Sequence, residues 1–291
     1  MQIKDFYDQE TAAFSYVISD PKTGAAAIID SVLNYDHFAA RTSTKSADEL
    51  IEYIESNKLK LEWILETHIH ADHLSAADYI KNIALEKDWG KSVKTAIGAR
   101  IVDVLKYWAP VFRLQNKIPL DGSQFDRLFH DGEKFKIGEL EVEVIHTPGH
   151  TPSCYCYKIG DAIFVGDVIF MPDVGTARCD FPGGSVEESY NSLQKIFALG
   201  DDVKIYTAHD YPPQNRELAC VSTVGDQKKN NILANEKISR GEFIEKRTKR
   251  DATLAVPKLL LPSIQVNICA ARLPKAKDNG IAYLRLPLNK F

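Results

Sequence analysis

The chain is 291 residues long, 44% apolar and 26% charged, with a formal net charge of −4. That composition belongs to ordinary soluble globular proteins, and the length allows one large domain or one domain with an appendage. The mild acidity leaves no electrostatic footprint for nucleic acid or an anionic membrane, no run reaches transmembrane length, and the acidic, polar residues 1–15 do not read as a signal peptide.

Ala12–Ser19 and Gly24–Ser31 are apolar runs separated by Asp20-Pro-Lys-Thr-Gly24, whose Pro and Gly mark a turn, so the chain is expected to open with a hairpin. Ser46-Ala-Asp-Glu49 reads as a capping box, and Leu50, Ile51, Tyr53 and Ile54 follow at helical spacing. Leu61–Thr67 is an apolar strand pattern, and Leu74–Leu85 carries a second helical one. Ala99–Trp108 is a shorter helix, and Pro110–Phe129, with its Pro and Gly breakers, reads as a long surface loop near a site mouth.

In the second half, Leu140–Ile145 alternates as a strand. Cys154-x-Cys156 alternates with Tyr155 and Tyr157, which reads as a strand with small buried thiols rather than a metal pair. Ala162–Val165 and Val203–Ala208 are short buried strands. Between them Ser185-x-x-Glu188 caps a helix with Tyr190, Leu193, Ile196 and Phe197 on one face. Beyond residue 215 the patterns weaken. Thr223–Phe243 reads as a polar helix, Lys246-Arg-Thr-Lys-Arg250 as a solvated helix face, and Ile281–Leu288 as an edge strand. Alternating helices and strands in both halves predict two sheets covered outside by helices, an α/β protein. A separate second domain is not demanded: residues 1–291 read as one domain, with 215–291 as a carboxy-terminal extension packed on it. Five cysteines (Cys154, Cys156, Cys179, Cys220 and Cys269) are odd in number and scattered, which argues against a disulfide framework and fits a cytoplasmic location.

Seven residues carry the chemistry. His68-Ile-His70-Ala-Asp72-His73 follows the apolar strand pattern Leu61–Thr67 directly, and His150 follows Leu140–Ile145 through the turn Thr147-Pro-Gly149. Asp167 comes after Ala162–Val165 and Gly166, and His209 immediately after Val203–Ala208. Each ligand-type residue thus sits just past a rigid strand end, where a site can be held to sub-ångström geometry. Imidazole nitrogen and carboxylate oxygen are preferred donors to divalent transition metals, and three buried imidazoles beside a carboxylate would be costly to desolvate without one. His37, His130 and His146 read as surface or structural histidines outside the site.

Taken together, His68-Ile-His-Ala-Asp-His73, Thr147-Pro-Gly-His150, Gly166-Asp167 and His209 resemble the metallo-β-lactamase superfamily over about residues 12–211. The resemblance implies an αβ/βα four-layer sandwich with metal at one rim of the sheets. In its two-metal members, His68, His70 and His150 would hold one ion, Asp72, His73 and His209 the other, with Asp167 bridging. Within the superfamily, Glu66-Thr-His-Ile-His-Ala-Asp-His-Leu74, Arg178-Cys-Asp-Phe181, His209-Asp-Tyr-Pro212 and Pro262-Ser-Ile-Gln-Val-Asn267 are more similar to persulfide (sulfur) dioxygenases than to hydroxyacylglutathione hydrolases. That resemblance implies one Fe(II) on His68, His150 and Asp167 with open positions, the second site of His70, Asp72, His73 and His209 being left vacant as a polar outer shell.

The expected reaction is oxidation of glutathione persulfide, or a related small thiol persulfide, by O2 to sulfite and thiol. Arg178 and Asp180 are candidate substrate-binding residues, Arg178 as a grip for a carboxylate or as the partner of Asp180. Tyr211 is a candidate hydrogen-bond donor near the sulfur, or a packed turn aromatic. The alternative is a thioester hydrolase with two Zn(II) ions and Asp72 as proton acceptor. A non-catalytic metal-bound binding protein is the remaining reading, and a homodimer is compatible with any of them. The stretch from Asp167 to Arg178 is longer than the common family form and lacks its Cys-Gly before Arg. Leu33–Lys45 and Trp108–Asp126 also look extended.

Overall fold

In the strand that follows the first turn, Ala25, Ala27 and Ile29 point to one face and Ala26 and Ile28 to the other, as the pleat requires. The two faces meet different layers, and from this alternation the architecture follows. The computed structural model describes residues 1–291.

The first half contains β1 (Gln2–Asp8), β2 (Ala13–Ser19), β3 (Ala25–Ile29), β4 (Val32–Asp36), β5 (Arg41–Ser43), α1 (Lys45–Ser56) and β6 (Lys60–Leu65). These are followed by β7 (Leu74–Ser75), α2 (Ala77–Glu86), β8 (Lys94–Gly98), α3 (Ile101–Val111) and β9 (Arg127–Phe129). The second half contains β10 (Lys134–Ile137), β11 (Leu140–His146), β12 (Tyr155–Ile159), β13 (Ala162–Phe164), α4 (Val186–Phe197), β14 (Lys204–Tyr206) and β15 (Val221–Thr223). The carboxy-terminal segment supplies α5 (Val224–Asn230), α6 (Arg240–Asp251) and α7 (Leu260–Asn267).

Two six-stranded sheets form, in the orders β1-β2-β3-β6-β8-β9 and β10-β11-β12-β13-β14-β15. Their inner faces share one apolar layer, in which Phe14, Tyr16 and Ile18 of β2 and Ala27 of β3 meet Val142, Val144, Tyr157 and Phe164. Outside the first sheet, Ala26, Ile28 and Ile64 pack on Leu50 and Ile54 of α1 and Ile80 of α2. Outside the second, Cys156, Ile163 and Ile205 pack on Leu193 and Ile196 of α4 and Phe243 of α6. Helix, sheet, sheet, helix is the αβ/βα four-layer sandwich. Each large apolar side chain buried in these layers contributes about 1.5–3 kcal/mol. A further cluster joins Ile101, Leu105 and Trp108 of α3 to Leu260 and Ile264 of α7, and takes in Ile69 and Ala71. The apolar residues interleaved with the ligand histidines are therefore the anchors of that loop.

Several local expectations need correction. Residues 2–8 form an edge strand, β1, paired with β2. The capping box at Ser46 does not form: α1 begins at Lys45, no side chain caps it, and Ser46 Oγ instead donates to Asp8 Oδ2 at 2.9 Å. The helix expected from Leu74 starts at Ala77, because Leu74–Ser75 pairs with β4 in a small β5-β4-β7 sheet. That sheet is what the extended loop at Leu33–Lys45 becomes. The polar helix at Thr223–Phe243 is broken after Asn230, where the Asn231 side chain accepts from the amides of Leu233 and Ala234. Ile281–Leu288 joins no sheet, and its backbone is tied instead by the Gln265 side chain, which bonds both the amide and the carbonyl of Arg285. No helix is long and apolar enough to cross a membrane, and all five cysteines are free thiols.

Candidate metal centre

All seven ligand-type residues lie in loops that leave strand ends along one rim. His68, His70, Asp72 and His73 occupy the irregular connection from β6 to β7, and His150 the turn from β11 to β12. Asp167 follows β13 and His209 follows β14. Two glycines let these loops come close. A Cβ on Gly166 (φ +53°) would lie 2.5 Å from Thr67 Oγ1, and one on Gly149 would lie 2.4 Å from the Ser189 backbone of α4. Only glycine permits such approaches without moving a ligand.

Each imidazole is oriented by a protein acceptor on one nitrogen, leaving the other turned inward. Thr67 Oγ1 donates to Asp30 Oδ2 at 2.7 Å and lies 3.0 Å from His68 Nδ1, which fixes the His68 proton there and frees Nε2. His150 Nδ1 donates to Arg178 O at 2.7 Å, His209 Nδ1 to Ala12 O at 3.0 Å and His73 Nδ1 to Leu74 O at 3.2 Å. His70 is reversed: its Nε2 lies 3.0 Å from Asp30 Oδ1 and 3.3 Å from Glu66 Oε2, so Nδ1 is the inward atom. His68 Nε2, His70 Nδ1, His209 Nε2 and Asp167 Oδ1 are buried with no hydrogen-bond partner. Buried polar atoms are rarely left so, and metal cations held among these donors would satisfy them. The residues therefore fit a metal.

The donors fall into groups. Those of His68, His150 and Asp167 lie within 4.8 Å of one another, as do those of His70, Asp72 and His73. A third convergence, Asp30, Glu66 and His70, is the acidic clamp behind His70. His209 Nε2 lies 3.0 Å from Asp72 Oδ2 and 3.5 Å from Asp167 Oδ1, between the first two groups.

Electrostatics divides the histidines. Burial, then the neighbouring His70 and His150, holds His68 well below the ordinary histidine range. Burial and His70 likewise bring His73 down to about 4. Both are neutral imidazoles at neutral pH, the form that ligates. Burial opposes charge on His70 too, but Asp30 and Glu66 outweigh it and raise His70 well above its ordinary value. His209 is raised to about 9, with Asp72 and Asp167 overcoming its burial. Burial also works against ionised Asp72, yet His209 beside it keeps that carboxyl well below the usual range, whereas burial wins at Asp167 and raises it.

A pocket of about 290 Å³ opens over this rim, with Asp72, His150 and Asp167 at its floor and Phe170, Phe181 and Tyr211 as aromatic walls. Arg178 and Arg250 bring positive charge to it. Arg178 grips Asp180 through Nε (2.6 Å) and Nη2 (2.7 Å) and donates through Nη1 to Ala255 O. Its pairing with Asp180 is thus formed, and the pair ties the wall of the pocket to the carboxy-terminal segment. Tyr211 is half exposed and stacks on His209, ring centroids 5.8 Å apart. The segment after Asp167 folds back through an isolated bridge between Ile169 and Thr176 and lines the same pocket. Pro110–Phe129, expected at the site mouth, does not line the pocket; Phe112 and Phe125 pack instead with Leu260 and Ile264 of α7. His37, His130 and His146 stand apart from the metal groups.

Sequence reasoning missed Asp30 and assigned no role to Glu66 and Asn267, which it quoted only as ends of motifs. Asp30 sits at the end of a hydrophobic run with φ +52°, and Asn267 lies almost two hundred residues from the loop it contacts. The five-residue Arg/Lys run is not simply solvated: Arg247 is buried against Asp251, and Arg250 lines the pocket.

Comparison with known proteins agrees with the geometry. A family model of the Metallo-beta-lactamase superfamily matches residues 9–209. The chain is 52% identical over 289 residues to Glyoxylase B2 of Dictyostelium discoideum, covering 99% of this chain and 97% of that one. It is 42% identical to a probable metallo-hydrolase of Burkholderia pseudomallei, covering 99% of each. Among solved structures it is similar to ETHE1 of Myxococcus xanthus, with a TM-score of 0.72, 25% identity, and coverage of 94% of this chain and 100% of that one. More distant similarity extends to hydroxyacylglutathione hydrolase GloC of Haemophilus influenzae, 32% identical over 66% of this chain and 84% of that one. It extends also to human mitochondrial persulfide dioxygenase ETHE1, 26% identical over 72% of this chain and 68% of that one.

Proposed function

The chain belongs to the metallo-beta-lactamase superfamily, and from that premise we propose that it oxidises a small thiol persulfide with O2 at one Fe(II) held by His68, His150 and Asp167. The observation that carries this reading is the donor set itself. Two imidazoles and one carboxylate converge within 4.8 Å, the ligand pattern of non-haem Fe(II) oxygenases. Asp72 Oδ2 and His209 Nε2, which a second ion would need, lie 3.0 Å apart and outside this group.

Iron bound there supplies the open positions and the electron transfer that O2 chemistry requires. The chain's residues do the rest. Phe170 and Phe181 keep the pocket over Asp167 and His150 apolar, which excludes water from the outer sulfur. Arg250 at the pocket wall attracts a carboxylate of a glutathione-like thiol, while Arg178, engaged by Asp180 and Ala255 O, shapes that wall. Tyr211 stands over His209 and has a hydroxyl kept protonated, by burial and then by Asp72 and Asp167, so it serves as a donor. In the balanced reaction the outer sulfur is oxidised to sulfite. Both atoms of O2 enter the sulfite, water supplies its remaining oxygen, and the thiol departs with two protons released.

A second reading is hydrolysis of a glutathione thioester at two metal ions, with Asp72 as proton acceptor. The separate convergence of His70, Asp72 and His73 favours it. So do the hydrolase names carried by the relatives most similar in sequence. Anaerobic purification with metal analysis, followed by O2-electrode and thiol-release assays on glutathione persulfide and S-lactoylglutathione, separates the two. O2 uptake with iron supports the oxidation; thiol release from the thioester with zinc and no O2 uptake overturns it.

A further inference from the structure

We propose that Asn267, the last residue of α7, is a positioning residue of the metal centre, so that the carboxy-terminal helix is a working part of the site. The ligand loop from Glu66 to His73 has no ladder of its own to hold it. Its shape is set from outside. Asn267 Nδ2 donates to the carbonyls of His70 and His73, each at 2.9 Å, and Asn267 Oδ1 accepts from the Ser75 amide at 2.8 Å. One buried side chain, 3% exposed, therefore binds the loop at three points flanking Asp72.

The contact reaches the ligands by a second route. Ser75 Oγ donates to Glu66 Oε1 at 2.5 Å, and Glu66 Oε2 faces His70 Nε2 at 3.3 Å. Fixing Ser75 thus fixes Glu66, which with Asp30 directs the Nδ1 of His70 inward. Asparagine alone suits the place, because the role needs one acceptor and two donors on a short planar group. Aspartate keeps the shape but turns a carboxylate oxygen against two carbonyl oxygens. Such outer partners of metal ligands typically govern metal affinity by about 10- to 100-fold. The inference depends on the metal-binding family and on the loop geometry, not on which metal or reaction is correct.

The test loads full-length Asn267→Asp, Asn267→Ala and Gln265→Ala proteins with Co(II) and reads affinity by chelator competition and ligand geometry by the visible d–d bands. Gln265 lies on the same helix and ties down the tail at Arg285, so its variant reports mere loosening of α7. Asn267→Asp should weaken Co(II) binding about 10- to 100-fold and shift the bands, while Gln265→Ala lowers Tm and leaves both unchanged. A folded Asn267→Asp protein with wild-type affinity and bands overturns the proposal, and so does equal metal loss in all three variants. Should neither Asn267 variant fold, hydrogen exchange on the wild-type chain decides. Amides 70–75 and those of α7 should gain protection together on Co(II) loading, and unchanged protection in α7 contradicts the proposal.

Discussion

His209 Nε2 lies 3.0 Å from Asp72 Oδ2, although the two residues come from opposite halves of the chain and from loops of different sheets. Both atoms stand outside the group formed by His68, His150 and Asp167, so the proposed single-iron site divides the candidate ligands into unequal groups. His68→Ala should therefore abolish tight metal binding, whereas His73→Ala should keep about one ion per chain. Metal analysis of the two purified variants checks this. Equal loss in both would point to a dinuclear site.

Gly166 is the second point where the rim is tight. Its φ of +53° and the 2.5 Å approach of an added Cβ to Thr67 Oγ1 both penalise a side chain. Gly166→Ala should cost about 1–3 kcal/mol, read as a lower denaturant midpoint. It should also weaken metal binding, because Thr67 orients His68. An unchanged midpoint with unchanged metal content would show that the loops are free to shift.

Arg247 is 1% exposed and paired with Asp251, and together they hold the backbone of Thr176 and Cys179 beside the pocket. Removing one partner strands a buried charge, so Arg247→Met should destabilise the protein by about 3–5 kcal/mol. The double variant Arg247→Met/Asp251→Leu should recover most of that loss in thermal melts. A double variant no more stable than the single one would mean the pair acts through its backbone contacts instead.

Burial raises the thiols: Cys156 and Cys179 to about 12, Cys220 and Cys269 to about 11. A raised acid keeps its proton in the folded state after the unfolded chain has lost it. The folded state thus binds more protons between the ordinary thiol value and the raised one, and stability falls as pH rises through about 9 to 12. For the same reason, alkylation by iodoacetamide should be slow at pH 8 and accelerate about tenfold per pH unit towards pH 11. Fast labelling of the folded protein at pH 7 would contradict this.

Much of the rim was readable in the sequence, because ligand-type residues past strand ends obey a short-range rule: His68–His73, His150, Asp167 and His209 each follow an apolar run. What could not be read depends on distant partners. β1 is a polar edge strand whose alternation is weak because only one side is paired. Ser46 looked like a cap, but Asp8 and Asn34 engage its side chain from elsewhere in the fold. Ile281–Leu288 has strand-like composition, yet Gln265 occupies its backbone groups and no sheet edge receives it. Asn267 was legible only as the end of a motif and not in its role, since its three partners lie between His70 and Ser75.

The most direct test of the central claim is iron content and O2 consumption measured on the same anaerobically purified sample. The account predicts about one iron per chain and O2 uptake on adding glutathione persulfide, with sulfite formed in proportion. Two zinc ions per chain, no O2 uptake and release of thiol from S-lactoylglutathione would contradict it.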